Sequence, residues 1–310
     1  MRKNSKRWYV AGAVLAAAAV AYRYFNADAR LTRFMIRTFR DHTNYKRFLG
    51  NTNDPPKAIR KLCTTQEVVI EDVQGYWLDR EKSENGVLVY LHGGGYTFGP
   101  LSGQWAYIAQ MSKRTGKAAL VINYRLAPDY PYPYALEDAF TFISTLQARG
   151  ELPQHYVLLG DSAGGGLAVS VTLRLREAQA PLPQKLLLLS PWLDISMTNP
   201  DIPKTAPKDP MLPLDAVHDA AAKYANGHDM KDPLVSPVYA DVTGLPPVMI
   251  QVGTHELFLW DNRQFAQRLR EAQVPVQYEE YKGMFHVFSM VSFLRQSKKA
   301  LKRQQIFLNT

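Results

Sequence analysis

The chain has 310 residues and a mass of 35.1 kDa, enough for one or two domains with a sizeable core. Hydrophobic residues make up 46% and charged residues 21%, which excludes collagen-like, wholly disordered and multi-span membrane proteins. The single cysteine, Cys63, excludes an intramolecular disulfide and a thiolate metal cluster. The whole net charge of +9 lies in residues 1–50, which contain 11 Lys/Arg and two acidic residues. The remainder is neutral, so its composition does not indicate a nucleic-acid partner.

Residues 1–25 have the features of a membrane segment. Four basic residues precede an uncharged run from Trp8 to Tyr22, and the 18 residues from Trp8 to Phe25 would span about 27 Å as a helix. A cleaved signal peptide and a buried soluble helix are the alternatives. We predict an uncleaved membrane anchor, whose side of the membrane the flanking charges do not determine.

Residues 26–65 begin with a basic amphipathic helix. Arg30, Arg33, Arg37 and Arg40 recur at helical spacing, while the apolar residues fall largely on other faces. This helix would lie either on an anionic membrane surface or on the globular body, with its arginines in solvent.

Residues 66–310 alternate short apolar runs with helical stretches, as in a mostly parallel sheet covered by helices. An insertion at about 195–230, which begins with a stretch rich in Pro, Lys and Asp, predicts a cap or lid. The predicted helices are Gly103–Thr115, Tyr134–Arg149, Ala163–Gln179, Asp215–Asn226, Asp261–Ala272 and Ser289–Phe307. The predicted strands are Gln66–Asp72, Tyr76–Asp79, Val87–Leu91, Ala118–Tyr124, Tyr156–Leu159, Lys185–Leu189, Val248–Val252 and Val276–Tyr281.

A G-x-S-x-G motif surrounds Ser162, between a predicted strand and a predicted helix. This is the context of a nucleophilic serine on a sharp turn, where the flanking glycines leave room for the backbone. The pattern is short, so a turn without chemistry is the alternative reading.

A glycine run, Gly93 to Gly95, follows His92 at the end of another predicted strand. Glycines allow backbone N–H groups to approach a developing oxyanion. We therefore predict an oxyanion hole made by the N–H groups of Gly93, Gly94 and Ala163. No G-x-G-x-x-G or G-x-x-x-x-G-K pattern supports a nucleotide site.

The chain order of this motif set is Ser, then acid, then His. His286 is the only one of the seven histidines that follows every candidate acid, so we predict it as the base. Glu256 and Asp261 both lie just past the strand Val248–Val252. We favour Glu256 as the acid, because a place in the first turn of a helix already explains Asp261.

These motifs resemble the hormone-sensitive lipase family of α/β-hydrolases, which includes the bacterial family IV esterases. The resemblance covers roughly residues 66–290. Besides the two motifs above, it rests on Tyr124–Pro128, Ala135–Ala139, Ser190–Asp194 and Asp232–Pro237. It implies an α/β-hydrolase fold with an eight-stranded, mostly parallel sheet, helices on both faces and a cap built from the N-terminal region and the insertion. Many members carry Asp in an Asp-Pro-Leu setting where Glu256 stands, which keeps Asp261 as the alternative acid.

The prediction is a membrane-associated serine carboxylesterase that hydrolyses uncharged short-to-medium acyl esters through an acyl-enzyme. No cofactor or metal is implied, and the expected partners are a small ester and a membrane. The N-terminus also resembles the anchor of arylacetamide deacetylases. Amide or lactone hydrolysis by the same triad is therefore an alternative, and a non-catalytic binding protein on this fold is another.

Overall fold

The computed structural model describes residues 32–34, 36–37 and 52–310. Within this part, eight strands form a single sheet, and all eight predicted strands are present with ends shifted by at most three residues. The strands are β1 Thr65–Ile70, β2 Val73–Leu78, β3 Val87–Leu91, β4 Ala118–Asn123, β5 Tyr156–Asp161, β6 Lys185–Leu189, β7 Val248–Gly253 and β8 Val276–Tyr281. Their order across the sheet is β1-β2-β4-β3-β5-β6-β7-β8. The β1–β2 and β2–β4 pairs are antiparallel and the others are parallel.

Helices connect the strands, and short 3₁₀ turns lie at Arg80–Asn85, Ala206–Lys208, Pro237–Tyr239 and Phe288–Met290. The α-helices that follow residue 52 are α1 Lys57–Arg60, α2 Ser102–Thr115, α3 Tyr134–Ala148, α4 Ala163–Glu177, α5 Ile202–Thr205, α6 Leu214–Ala225, α7 Leu259–Glu271 and α8 Arg295–Asn309. Residues 32–34 and 36–37 are also helical.

The central strands are buried on both faces, which explains why they read as continuous apolar runs in the sequence. In β3, Val89 and Leu91 pack into one hydrophobic cluster, and Leu88 and Tyr90 pack into the cluster on the opposite face. Residues of α3, α4 and α7 belong to the first cluster, and residues of α2 and α8 belong to the second. The α/β-hydrolase fold with helices on both faces is therefore confirmed.

The last helix differs from the prediction, which started it at Ser289. A 3₁₀ turn occupies Phe288–Met290, and α8 begins only at Arg295. Phe288 and Leu294 are both buried in one cluster, so the chain turns between them before the helix starts. The Ser297 hydroxyl donates to the carbonyl of Phe288 at 2.6 Å and fixes this turn.

The parallel strands bring the predicted site residues to one edge of the sheet. Each loop that follows the carboxyl end of β3, β5, β7 or β8 opens at this edge. The predicted insertion at about 195–230 lies between β6 and β7 and contains α5 and α6. The fold thus places the glycine run, Ser162, Glu256 and His286 on loops that share one side of the molecule.

Candidate active site

Ser162 lies on a strained turn between β5 and α4, with φ 54° and ψ −124°. Such a backbone exposes the hydroxyl at the tip of a strand-to-helix turn. A Cβ on Gly160 would lie 2.1 Å from the Gly164 carbonyl oxygen, and a Cβ on Gly164 would lie 2.1 Å from the Leu91 carbonyl oxygen. Both glycines of the motif are therefore required by close backbone contacts.

The carboxylate of Asp161, which precedes Ser162, holds the glycine loop in place. It is buried and accepts hydrogen bonds from the Tyr90 hydroxyl, from Gln104 Nε2 at 3.0 Å and from the N–H of Gly93 at 2.9 Å. Burial raises the pKa of Asp161, and these hydrogen bonds oppose that shift. Asp161 thus ties the ends of β5 and β3 and the first turn of α2 to one another.

One of the predicted oxyanion donors has a partner within the protein. The Gly93 N–H donates to Asp161 Oδ1 at 2.9 Å. Among the described residues, the N–H groups of Gly94, Gly95 and Ala163 have no protein acceptor. Gly95, which was not predicted, is therefore a further candidate donor, and the oxyanion hole stays a prediction. The sequence shows Gly95 as the third glycine of the run. Only the contact with Asp161 distinguishes the N–H of Gly93 from those of the next two glycines.

His92 shapes this loop. Its ring is fully buried, stacks on Tyr124 with centroids 4.3 Å apart, and places Nδ1 2.9 Å from the carbonyl oxygen of Gly93. Burial lowers the pKa of His92 to about 4. The ring is therefore neutral near pH 7 and supports the loop.

Glu256 and His286 are brought together by the loops after β7 and β8. Glu256 Oε1 lies 3.4 Å from His286 Nδ1, and both side chains are buried. The two loops are joined by a hydrogen bond from the His255 N–H to the Met284 carbonyl at 2.9 Å. Gly253 permits this approach, because a Cβ there would lie 2.3 Å from the Met284 carbonyl oxygen.

The second oxygen of Glu256 is held by two donors. Ser190 Oγ and the N–H of Gly253 each donate to Glu256 Oε2 at 2.8 Å. These bonds satisfy one side of the buried carboxylate and leave Oε1 toward the imidazole.

Asp261, the alternative acid, lies elsewhere. Its Oδ1 accepts a hydrogen bond from Asn199 Nδ2 at 2.7 Å, and its Oδ2 is buried without a partner among the described residues. Burial raises the pKa of Asp261 to about 7. The structure therefore places Glu256, and not Asp261, beside His286.

The insertion between β6 and β7 contacts the Glu256 loop. Asp209 is buried within it and accepts a hydrogen bond from the N–H of Leu257 at 3.0 Å. The same carboxylate accepts from the N–H groups of Met211 and Leu212, at 2.7 and 3.0 Å. Burial raises the pKa of Asp209 to about 6. The insertion is thus bonded to the residue that follows Glu256.

The described part of the N-terminal helix lies on the globular body. Arg33 donates to the carbonyl of Gly283, three residues before His286, and Arg37 donates to the carbonyl of Pro207 at 2.7 Å. Ile36 packs against the cluster that contains Phe285. These contacts agree with the docked alternative for this helix, while Arg30 and Arg40 lie outside the described residues.

A row of aromatic rings continues from His286 under the insertion. His286 contacts Phe258 with centroids 5.1 Å apart, and Phe258 stacks on Trp192 at 5.6 Å. Tyr96, next to the glycine run, stacks on Tyr224 of α6 at 3.6 Å. Sequence reasoning did not single out these rings, which give the surroundings of the site an apolar character.

Two further predictions concern a membrane and a metal. The predicted anchor, residues 1–25, lies outside the described residues. None of the helices that the structure describes combines the length and the apolarity needed to cross a bilayer.

The described residues do not include a group of three or more His, Cys, Asp or Glu side chains that could hold a metal ion.

Comparison with known proteins agrees with this fold. Residues 88–290 match a family described as having the α/β-hydrolase fold. An acetyl-hydrolase of Streptomyces hygroscopicus is 33% identical over 84% of this chain and 85% of its own length. An esterase of Acinetobacter venetianus is 32% identical over 74% and 76% of the two chains. A crystal structure of an esterase from the bacterial hormone-sensitive lipase family has a TM-score of 0.76 and 32% identity, and covers 91% of each chain.

The chain is therefore an α/β-hydrolase. Within that class it belongs to the hormone-sensitive lipase family, as its motifs indicated.

The buried carboxyl of Asp261 makes a prediction about stability. Its pKa rises from 3.8 to about 7 on folding because burial penalises the charge. The folded state therefore holds this proton more tightly than the unfolded state, and stability is lost as the pH rises from about 4 to 7. Asp261→Asn cannot lose this proton, so its stability lacks this pH dependence. The free energy of unfolding of Asp261→Asn minus that of wild type should therefore rise by about 2–3 kcal/mol when the pH is raised from 5 to 7. Urea unfolding at both pH values measures the difference, and pH-independent differences would contradict the prediction.

Proposed function

We propose that the protein is a serine carboxylesterase in which Ser162 is the nucleophile, His286 the general base and Glu256 the acid that orients it. The observation that carries the proposal is the buried pair of Glu256 and His286, with 3.4 Å between Oε1 and Nδ1. This pair lies at the same sheet edge as the strained turn of Ser162. A carboxylate at Nδ1 fixes the tautomer in which Nε2 can accept a proton from a serine.

In the first half of the reaction, Ser162 Oγ forms a bond to the ester carbonyl carbon and its proton passes to His286 Nε2. The resulting oxyanion is stabilised by the N–H groups of Gly94, Gly95 and Ala163. Ala163 is the first residue of α4, so the helix N-terminus contributes a favourable dipole. The carbon–oxygen bond to the alcohol then breaks, and the alcohol leaves with the proton from His286.

In the second half, His286 removes a proton from water, which attacks the acyl group on Ser162. The collapse of the second tetrahedral intermediate breaks the bond to Ser162 Oγ, which takes the proton back from His286, and releases the carboxylic acid. Glu256 stabilises the imidazolium that forms in each half. Every step uses groups of the chain itself, the ester and water.

The proposed substrates are uncharged esters with short-to-medium acyl chains. The neutral charge balance of residues 51–310 provides no net attraction for an anionic substrate. The rings of Phe258, Trp192 and Tyr96 are buried and continue from His286, so the packing next to the base is apolar. The acetyl-hydrolase and esterase names of the relatives agree with this class.

Hydrolysis of p-nitrophenyl esters from acetate to palmitate tests the function. Wild type should act best on the shorter chains, and Ser162→Ala should reduce kcat/KM at least about 10³-fold. Glu256→Gln should reduce it roughly 10²- to 10⁴-fold, because the amide cannot support the imidazolium. Asp261→Asn serves as the matched control and should stay within about threefold of wild type.

Retained activity in Ser162→Ala, with folding intact, would contradict the proposal. A larger loss in Asp261→Asn than in Glu256→Gln would reassign the acid. Parallel panels of lactones and anilides complete the test, since dominant turnover of either would replace the esterase assignment.

We further propose that residues 1–25 attach the enzyme to a membrane. The support is the uncharged run from Trp8 to Tyr22 and the aromatic residues at its ends. Deletion of residues 1–25 should move the protein from the membrane fraction to the soluble fraction while kcat/KM on p-nitrophenyl acetate stays within about threefold. The same fractionation for both proteins would contradict the attachment.

A further inference from the structure

Ser190 is the first residue after β6 and is almost fully buried. Its hydroxyl makes two hydrogen bonds that lead to different parts of the site. It donates to Glu256 Oε2 at 2.8 Å, and it accepts from the N–H of Val287 at 3.0 Å. Val287 directly follows His286, so one oxygen atom contacts both the acid and the backbone of the base.

We propose that Ser190 is a positioning residue that fixes the catalytic acid relative to the base. The inference rests on the proposed function, because it assigns Ser190 an effect that passes through Glu256. The hydroxyl acts as donor and acceptor at once in this geometry, with its single proton directed to the carboxylate and one lone pair directed to the amide.

The contacts of Glu256 show why the hydroxyl matters. Oε2 is held by Ser190 Oγ and by the N–H of Gly253, and this pair of donors fixes the plane of the carboxylate. With that plane fixed, Oε1 faces His286 Nδ1. Without the hydroxyl, the carboxylate keeps one donor on Oε2 and can rotate, and the Val287 N–H loses its acceptor.

The backbone of Ser190 is itself held firmly. Its N–H donates to the carbonyl of Gln251 in β7 at 2.8 Å, so the hydroxyl is attached to the rigid end of the sheet. Its φ is 46°, in the left-handed region, where serine and alanine meet the same steric restriction. Ser190→Ala therefore removes the oxygen atom without a new backbone penalty.

Ser112 provides a matched control. It is also fully buried, and its hydroxyl donates to the carbonyl of Lys117 at 2.7 Å. It lies in α2 and has no contact with Glu256 or His286. Loss of this hydroxyl removes a buried hydrogen bond away from Glu256 and His286, so it shows what a buried Ser→Ala change does to kcat without contact with that pair.

The experiment measures kcat and KM on p-nitrophenyl acetate for Ser190→Ala, Ser112→Ala and Glu256→Gln, and for the double variant with Ser190→Ala and Glu256→Gln. Ser190→Ala should lower kcat about 10- to 100-fold, with KM within about twofold of wild type. Ser112→Ala should leave kcat unchanged. In the Glu256→Gln background, Ser190→Ala should lower kcat less than twofold further, because its effect passes through the carboxylate.

The outcomes separate the two proposals. If Glu256→Gln is impaired and Ser190→Ala keeps the wild-type kcat, or if the two effects multiply fully in the double variant, the role of Ser190 is overturned and the proposed function stands. If Glu256→Gln keeps the wild-type kcat, or wild type has no activity, the proposed function itself fails. If Ser190→Ala does not fold, the nearly isosteric Ser190→Cys replaces it. A kcat of Ser190→Cys that is at least threefold below wild type supports the proposal, and a smaller reduction contradicts it.

Discussion

An ionised carboxylate can be buried in a protein at low cost only where hydrogen-bond donors replace the water that it loses. This constraint determines the arrangement of the carboxyl edge of the sheet, where Asp161 and Glu256 are both buried. Asp161 takes its donors from β3, from the glycine loop and from α2. Glu256 takes its donors from the ends of β6 and β7. Segments that are distant in the sequence must therefore converge at this edge, since neither charge could otherwise be buried at an acceptable cost.

The two carboxylates have different consequences for chemistry. Asp161 accepts a hydrogen bond from the N–H of Gly93 and so holds the loop of the proposed oxyanion donors. Glu256 has its Oε2 occupied and its Oε1 directed to His286. One carboxylate therefore holds the proposed oxyanion loop, and the other contacts the proposed base.

The insertion and the N-terminal helix are hydrogen-bonded to the loops of the site. Asp209 joins the insertion to the amide after Glu256, and Arg33 joins the N-terminal helix to the loop before His286. Single hydrogen bonds thus connect the insertion and the N-terminal helix to the loops that carry Glu256 and His286. Phe258 lies in the loop of Glu256 and stacks on Trp192, which follows β6, so the apolar packing adjoins the pair of Glu256 and His286.

Sequence patterns were sufficient for features that depend on local composition and chain order. The ends of β3, β6 and β8 were predicted exactly, the first two from buried and mostly apolar runs and β8 from a partly exposed strand. The G-x-S-x-G motif indicated the turn at Ser162, since its glycines are required by local backbone contacts. His286 followed from chain order and the structure places it beside Glu256, although its catalytic role stays a prediction.

Features that depend on tertiary contacts could not be predicted in this way. The choice between Glu256 and Asp261 required knowing which carboxylate reaches His286, because both follow β7 closely. The engagement of Gly93 depends on Asp161, 68 residues further along the chain. The late start of α8 depends on the joint burial of Phe288 and Leu294.

Covalent labelling with a fluorophosphonate, followed by mass spectrometry of the digested protein, tests the nucleophile most directly. Wild type should gain one phosphonyl group on the peptide that contains Ser162, and Ser162→Ala should gain none. Glu256→Gln should be labelled much more slowly, because Ser162 is activated through His286. A folded wild-type protein that remains unlabelled, or that is labelled on another residue, would contradict the central claim that Ser162 is the nucleophile of this site.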